Sequence, residues 1–180
     1  RGQTCSQALS VAQDYAIANN TQCVYFPRPG YAVGTQINIT SPVRWVGEPG
    51  SYLTALANIT IASVTASNNT FEDLEFVGIG AGSTKAGLVL NNSHENVFRS
   101  LYIHGFYNGV DLMPTTVAPQ SSYLNSFYDS RIVTNSNYNI NASSRTNFLR
   151  LYNTTFGGTS LIGLKYKGPS FGLEIYGGDC

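Results

Sequence analysis

Four residues in the middle of the chain have types that could carry out chemistry together. Glutamate and histidine can transfer a proton, a tyrosine ring can stack on a sugar, and arginine can bind the carboxylate of an acidic sugar. Strand alternation places all four side chains on one exterior face. We therefore predict Glu75, His104 and Arg131 as catalytic residues and Tyr102 as a substrate-binding residue. The alternative is an ordinary solvated surface, in which Glu75 and Arg131 are only favourable neighbours.

Asp111 is a second candidate for catalysis. It lies between Val110 and Leu112, which should point inward, so its own side chain should point outward, directly before a loop at 113–122. A glycosidase needs two carboxylates in reach of one glycosidic oxygen. The partner of Asp111 would have to come from Asp129, Glu174 or a neighbouring chain.

Asp129 is also predicted to contact substrate. It occupies the same turn position as Asp73 in a repeated phrase, two coils away, so the two backbones should lie about 9.6 Å apart. That distance is at the upper edge of the carboxylate separation of an inverting glycosidase. Turn chemistry accounts for both residues more simply, because Asp tolerates left-handed backbone angles, and both are predicted mainly as turn formers.

The repeated phrase is what should position these residues. Each copy has Asn, then Phe two places later, then a short polar residue two places after that. The copies begin at Asn69, Asn96 and Asn125, which are 27 and 29 residues apart. This periodicity implies stacked units that share a continuous core. Because each unit holds short alternating β-type runs and no helical pattern, the sequence predicts a parallel β-helix of about five or six coils.

The residue types of the phrase predict two ladders inside this β-helix. The asparagines should form hydrogen-bonded ladders at a turn, and Phe71, Phe98 and Phe127 should stack inside the column. A Gly-led phrase recurs between the copies, at Gly87, Gly109 and more loosely Gly163. A fourth copy of the Asn/Phe phrase lies near residues 147–153, in an ambiguous register.

One helix is predicted before the first strand. Residues 4–7 have the form of a capping box, and the run ends at a turn signal at residues 19–20. Apolar residues follow the box at helical spacing: Ala8, Val11, Ala12 and Tyr15. This helix should cover the open end of the column. The predicted organisation is a capping helix over 1–22 and a β-helix over 23–180, as one domain.

Motifs between this helix and the repeat resemble a known family. Residues 24–31 read Val-Tyr-Phe-Pro-Arg-Pro-Gly-Tyr, an Ile-x-Ile follows at 37–39, and Val-Gly-Glu-x-Gly stands at 46–50. This order is similar to the start of pectate-lyase-like right-handed parallel β-helices, most of all those of phage tailspikes and capsule depolymerases. The resemblance implies a right-handed all-β column and cleavage of a surface polysaccharide by hydrolysis or β-elimination. Catalytic carboxylates of β-helix glycosidases lie on outer strand faces beside loops, which favours Asp111.

Composition limits the partners. The formal net charge is zero and 11% of residues are charged, which argues against a nucleic-acid or anionic-membrane surface. No apolar run is long enough to span a bilayer. A surface of Asn, Ser, Thr, Gly and 12 Tyr favours an extracellular protein with a polysaccharide partner. The sequence contains neither Cys/His ligand spacing nor an Asp-x-Asp loop, so no metal or other cofactor is expected.

Cysteines and glycosylation motifs bear on the compartment. Cys5 and Cys23 flank the helix and are predicted to form a disulfide, although two free thiols are the alternative; Cys180 would be left over. Seven Asn-x-Ser/Thr motifs indicate either a secreted glycoprotein or simply polar turns. They lie at Asn19, Asn38, Asn58, Asn68, Asn91, Asn141 and Asn153.

The chain opens without a signal-peptide pattern, so we expect a mature or excised product. So short a column predicts either a fragment or a homo-oligomer, such as the trimer of a fibre. A secreted or virion-surface location would follow. The rival to an enzyme is a non-catalytic β-helix, either a glycan-binding adhesin or a structural segment of a fibre, virion or secreted glycoprotein.

Overall fold

The computed structural model describes residues 5–113, 122–142, 146–158, 162–168 and 172–179. Helix α1 covers Cys5–Ala18. The strands that follow are β1 (Cys23–Phe26), β2 (Gly30–Val33), β3 (Ile37–Ile39), β4 (Arg44–Ala55), β5 (Ala62–Val64), β6 (Thr70–Val77), β7 (Ala86–Leu90), β8 (Val97–Arg99), β9 (Tyr102–His104), β10 (Asn108–Leu112), β11 (Ser122–Tyr123), β12 (Ser126–Tyr128), β13 (Arg131–Ile132), β14 (Tyr138–Ala142), β15 (Thr146–Asn147), β16 (Leu149–Tyr152), β17 (Ile162–Tyr166) and β18 (Leu173–Tyr176).

The strands stack in parallel into two main sheets. The larger sheet runs β1-β4-β6-β8-β12-β16-β18, with β2 beside β4, β9 beside β6 and β13 beside β9. The smaller one runs β3-β5-β7-β10-β14-β17, and β11 pairs with β15 separately. The pairing generates a right-handed parallel β-helix of about six turns with one helix at its start. The predicted fold class is confirmed.

Phenylalanines of the repeat stack inside the column, as predicted. Phe98 is in register with Phe71 and with Phe127, and the ring centroids are 5.2 and 4.5 Å apart. Trp45 extends the stack upward, 5.3 Å from Phe71. Leu151, which pairs with Phe127, continues it downward. The register of the fourth copy is therefore fixed by Leu151, and Phe148 stays outside the ladder.

The asparagines form the predicted ladder at the turn before these phenylalanines. Asn69 donates from its backbone and side-chain nitrogens to Asn96 Oδ1, at 3.0 and 2.9 Å. The side chain of Asn96 donates in turn to Asn125 Oδ1 at 2.8 Å. All three residues are buried. The amides therefore satisfy backbone and side-chain groups that the turn removes from water.

The Gly-led phrase marks a close approach between strand and core. Gly109 lies beside Val110, which pairs with Leu88 and Ile140, so Gly87 and Gly109 occupy equivalent positions. A Cβ atom at Gly109 would stand 2.4 Å from Ile132 Cγ2. No side chain larger than hydrogen fits at this corner, which explains the repeat of glycine.

The helix covers the end of the column with the face opposite to the predicted one. Val11 and Tyr15 are 62% and 67% exposed, whereas Ser6, Leu9, Gln13 and Ala16 are buried. The physical reason is that an open sheet end presents backbone groups as well as apolar side chains. Ser6 Oγ accepts the N–H of Gly34 and of Thr35, at 2.8 and 3.1 Å, and Gln13 Nε2 donates to Asn38 O at 3.1 Å.

The predicted Cys5–Cys23 disulfide is absent, because both residues are free thiols. The turn after α1 explains this. The N–H of Gln22 donates to Ala16 O at 3.0 Å, so β1 starts near the end of the helix. Cys5 lies about three helical turns before Ala16, which is about 16 Å along the axis of α1. A disulfide needs the two Cα atoms within about 7 Å of each other.

Candidate active site

Strands β6, β9 and β13 bring the four predicted site residues together. Tyr102 is in register with Glu75 on one side and with Arg131 on the other, and His104 follows Tyr102 by one outward step. His104 Nε2 lies 2.8 Å from Glu75 Oε1. The imidazole stacks on the Tyr102 ring at 4.5 Å, and Arg131 Cζ is 5.1 Å from the centre of the same ring. The four side chains form one cluster on the outer face of the larger sheet.

The contacts define what each member of the cluster offers. An ionised carboxylate only accepts hydrogen bonds, so when Glu75 is ionised this contact requires the proton to be on His104 Nε2. Both side chains are half-buried, and Arg131 is exposed. Tyr102 already contacts an imidazole and a guanidinium, which reduces the ring surface left for a sugar. The cluster therefore supplies an oriented carboxylate, a proton donor and a cation.

A shallow groove of about 240 Å³ runs beside this cluster, and it holds a second carboxylate, that of Asp73. Its lining residues are Pro49, Gly50, Ser51, Asp73, Leu74, Glu75, Ser100 and Tyr102. One wall exists because β4 shifts its register on β6 between Val46 and Ser51. Asp73 and Glu75 are two residues apart, which limits the distance between their Cα atoms to about 7 Å. The groove therefore presents two carboxylates to the same small volume.

Asp73 stands at the corner where β6 changes direction. Its φ is 54°, and the equivalent residues Ser100 and Asp129 have φ values of 50° and 48°. This confirms their prediction as turn formers. Asp129 is exposed and accepts a hydrogen bond from Asn153 Nδ2 at 2.8 Å. Of the three equivalent turn residues, Asp73 and Ser100 line the groove and Asp129, one coil further along the column, does not. Its predicted contact with substrate stays a prediction.

Asp111 lies on the other sheet, away from this groove. Its Oδ1 accepts hydrogen bonds from Asn108 Nδ2 and Asn141 Nδ2, at 2.8 and 3.0 Å. Burial raises the pKa of the Asp111 carboxyl, and the two amides and the Lys165 charge partly offset that rise. The six strands of this sheet contain no other Asp or Glu. Asp111 is therefore a carboxyl with an unusually stable protonated form but without a carboxylate partner on its own sheet.

Glu174 is not available as that partner. It lies on β18 in the larger sheet, in register with Arg150, whose Nε is 3.0 Å from Glu174 Oε2. Lys165 lies on β17 of the smaller sheet, with its Nζ 4.5 Å from the centre of the Tyr138 ring.

Two residues near the cluster were not predicted from the sequence as site residues. Asp73 is predicted mainly as a turn former, and its spacing to Asp129 is the only sequence feature that relates it to a glycosidase pair. Tyr52 pairs with Glu75 across β4 and β6, points outward and is 39% exposed. The alternation of buried Leu53 and exposed Tyr52 was a signal for the orientation of Tyr52, but only the strand register shows that it lies next to Glu75.

The glycosylation motifs fall on the outside of the column. Asn91 and Asn141 are half-buried, and Asn19, Asn38, Asn58, Asn68 and Asn153 are exposed. Asn141 and Asn153 are held by Asp111 and Asp129, and Asn58 bonds to Thr84 through both side-chain atoms. Modification at any of them stays a prediction.

In the described part of the chain, no helix is long and apolar enough to cross a membrane. No group of three or more His, Cys, Asp or Glu side chains in these ranges could hold a metal ion.

Solved structures share this fold at low sequence identity. The catalytic domain of Agl-KA superposes with a TM-score of 0.76 at 15% identity, over 98% of this chain and 32% of that one. The catalytic domain of a GH87 α-1,3-glucanase in complex with nigerose gives 0.64 at 16% identity, over 99% and 32%. A Parabacteroides merdae protein described as a glycosyl hydrolase gives 0.60 at 11% identity, over 96% and 88%.

The chain thus spans about a third of the length of the first two structures. No protein-family model and no curated protein matches the sequence. At these identities the comparison establishes the β-helix fold shared with glycoside hydrolase catalytic domains, and the finer resemblance to tailspikes and depolymerases stays a prediction.

Proposed function

We propose that the chain binds a polysaccharide in the groove beside Asp73 and Glu75 and hydrolyses its glycosidic bonds. The observation that carries the proposal is the pair of carboxylates that line one exterior groove. A glycosidase needs two carboxyl groups that flank one glycosidic bond, and Asp73 and Glu75 are two acidic residues that line the same groove, two positions apart on β6. Glycoside hydrolases are also among the solved structures with this fold, which supports the proposal.

The contacts assign a role to each carboxylate. The proton of His104 Nε2 holds Glu75 as an acceptor, which suits a base or nucleophile. Asp73 is then the proton donor. In hydrolysis the bond between the anomeric carbon and the glycosidic oxygen breaks, and the leaving oxygen takes a proton from Asp73. Water supplies the hydroxyl of the new reducing end and gives its other proton to Glu75 as the base. Arg131 would bind an acidic group of the glycan.

A glycan panel tests this proposal. The chain is incubated with α-1,3-glucan, polygalacturonate and purified capsular polysaccharides, and the products are separated by size and monitored at 235 nm. We expect shortened chains without unsaturated ends. Glu75→Gln and Asp73→Asn should each lower the rate at least about 100-fold, whereas Glu174→Gln, which changes a carboxylate on the same sheet away from the groove, should keep the wild-type rate.

Two outcomes would contradict hydrolysis at this groove. Unsaturated products would show β-elimination, with Arg131 stabilising the substrate carboxylate. Full activity in both groove variants would place the chemistry elsewhere, and Asp111→Asn would then be the next variant to assay.

A second candidate function is glycan binding without cleavage. The observation in its favour is that Asp73 shares its backbone conformation with Ser100 and Asp129, so a structural need alone explains an aspartate there. Retention of the chain on an immobilised glycan, with no product from any member of the panel, would favour this function.

We also propose that the glycan lies outside the cell, on a bacterial capsule or cell wall, as for a tailspike or depolymerase. The low charge and the seven glycosylation motifs support this location. Secretion of the gene product by its source, measured by immunoblotting of cell and medium fractions, tests it.

A further inference from the structure

Stacking on an aromatic ring is a general way to hold a sugar, and it needs a ring with one accessible face. Tyr128, Tyr152 and Tyr176 form an exterior ladder, but their rings cover one another at 4.8 and 5.0 Å with interplanar angles of 3° and 5°. Tyr102 contacts His104 and Arg131. Tyr102, Tyr128 and Tyr152 therefore leave mainly their edges to a ligand, whereas Tyr176, at the end of the ladder, stacks on one ring and lies on β18, away from the groove.

Tyr52 differs from them, because its ring rests on a glycine. A Cβ atom at Gly30 would lie 2.4 Å from Tyr52 Cε2 and Cζ and 2.7 Å from Cε1. Three neighbouring ring atoms at nearly equal distances mean that Gly30 faces the plane of the ring and not its edge. In the described part of the chain no aromatic ring or cation stacks on Tyr52. One face is therefore supported by backbone, and the residue keeps 39% of its surface exposed.

The Tyr52 ring stands beside the groove. Tyr52 directly follows Ser51, which lines the groove, and it is in register with Gly30 on one side and with Glu75 on the other. Glu75 itself bonds to His104 on β9, on the far side of β6. Its carboxylate therefore leans away from Tyr52 and leaves room between them, beside the wall of Pro49, Gly50 and Ser51.

We infer that Tyr52 is the stacking platform of a sugar subsite next to Glu75, which takes a pyranose ring through its apolar C–H face. This inference rests on the proposed function, because the same groove would hold the scissile bond. Gly30 is a positioning residue for the platform. The subsite takes a ring that presents a face of C–H groups, and it is indifferent to the charge of the sugar.

The test separates the ring of Tyr52 from its hydroxyl and from its glycine support. The probes are α-1,3-linked gluco-oligosaccharides and oligogalacturonides, with Kd measured by calorimetry and KM and kcat by product formation. Tyr52→Ala should raise Kd and KM about 10-fold with kcat within about twofold. Tyr52→Phe and Tyr52→Trp should bind like the wild type. Gly30→Ala should weaken binding as Tyr52→Ala does, because the ring must move.

Tyr25→Ala is the matched control, since Tyr25 is 58% exposed on the same sheet and far from Glu75. Circular dichroism of every variant checks the fold. If Tyr52→Ala binds a probe as tightly as Tyr25→Ala does, the platform is refuted while the proposed function stands. If the wild-type chain binds neither probe and cleaves no glycan of the panel, both the platform and the proposed function are overturned.

Discussion

At the scale of single residues, the buried amides are the feature that makes the turns possible. Asn69, Asn96 and Asn125 each follow a residue with a left-handed backbone, at a turn where a polar group would lose its water on folding. Each amide oxygen receives hydrogen bonds from the coil above, as Asn69 Oδ1 does from the N–H of Val43 at 2.9 Å. The ladder therefore ties neighbouring coils together and satisfies their turns at the same time.

Replacing the central amide should be costly. Asn96→Ala leaves the backbone N–H of Asn69 without its acceptor. It also removes one hydrogen bond from the Asn69 amide, which keeps Ala66 O, and one from Asn125 Oδ1, which keeps the backbone N–H of residue 96. Each unsatisfied buried group costs about 1–3 kcal/mol, so we expect the free energy of unfolding to fall by about 3 kcal/mol in urea titrations. Asn38→Ala, at an exposed position, should change it by less than about 0.5 kcal/mol. Equal effects at the two positions would contradict the ladder.

Asp111 should leave a signature in the pH dependence of stability. Its carboxyl has an ordinary pKa of 3.8 that burial raises in the folded chain. Between those two pKa values the folded state binds more protons than the unfolded state, so the contribution of Asp111 to stability falls as pH rises through this window. Asp111→Asn removes that loss. The difference in unfolding free energy between variant and wild type should therefore grow in favour of the variant from pH 3.5 upward, and a difference independent of pH would contradict the assignment.

Part of the site was predictable at this scale and part was not. Strand alternation alone placed Glu75, Tyr102 and Arg131 on one face. The bond between Glu75 and His104 depends on rotamers, which periodicity does not specify. The groove and Tyr52 depend on the register shift in β4, and a shift of one residue inverts every side chain that follows.

At the scale of secondary structure elements, α1 shows how a cap differs from an ordinary amphipathic helix. Apolar spacing predicted a buried stripe of Ala8, Val11, Ala12 and Tyr15, which the structure leaves exposed. An apolar stripe would have covered the core but would have left strand-end N–H and C=O groups unbonded. The buried face mixes Leu9 and Ala16 with two polar side chains, so hydropathy alone could not identify it.

This arrangement makes an unusual prediction about stability. Ser6→Ala removes the acceptor of two partly buried backbone N–H groups, those of Gly34 and Thr35, and we expect a loss of about 1 kcal/mol in the free energy of unfolding. Val11→Ala removes an exposed side chain from the predicted stripe and should change it by less than about 0.5 kcal/mol. Chemical denaturation of the two variants compares them directly. A larger loss for Val11→Ala would mean that the helix binds through its apolar stripe after all.

The repeated phrase predicted the register between neighbouring strands wherever a copy kept both its Asn and its Phe. Phe71, Phe98 and Phe127 align as the Asn/Phe spacing predicted. The fourth copy was ambiguous, because its ladder position is taken by Leu151, while Phe148 occupies a turn with a φ of 50°. The Asn/Phe spacing predicts which residue enters the ladder only in copies that keep a phenylalanine at that position.

At the scale of the whole molecule, the fold is a one-dimensional stack in which each coil packs mainly on its neighbours. This is why a repeat in the sequence was enough to predict the fold class. It is also why the predicted disulfide failed, since no periodic signal reports how a helix returns to the first strand. The same architecture makes stability depend on the position of a coil along the column.

Backbone hydrogen exchange should therefore vary along the column. Strands β8 and β12 have a coil on both sides and bury Phe98 and Phe127 fully, whereas β18 pairs only with β16 among the described strands. Ile175, in the ladder position below buried Leu151, is 46% exposed. We expect the slowest exchange in β6 to β12, measured by mass spectrometry of peptic peptides, and the fastest in β17 and β18.

The first coil provides the internal control for that gradient. Strands β1 and β3 also lie at the ends of their sheets, but α1 covers them, and Gln13 of α1 donates a hydrogen bond to the backbone carbonyl of Asn38 in β3. If the cap stabilises as inferred, β1 and β3 should exchange more slowly than β17 and β18, and Ser6→Ala should accelerate exchange in the first coil without affecting β12. Equal exchange at the two ends of the wild-type column would show that α1 only lies on the first coil, because a cap that satisfies strand-end groups must slow their opening.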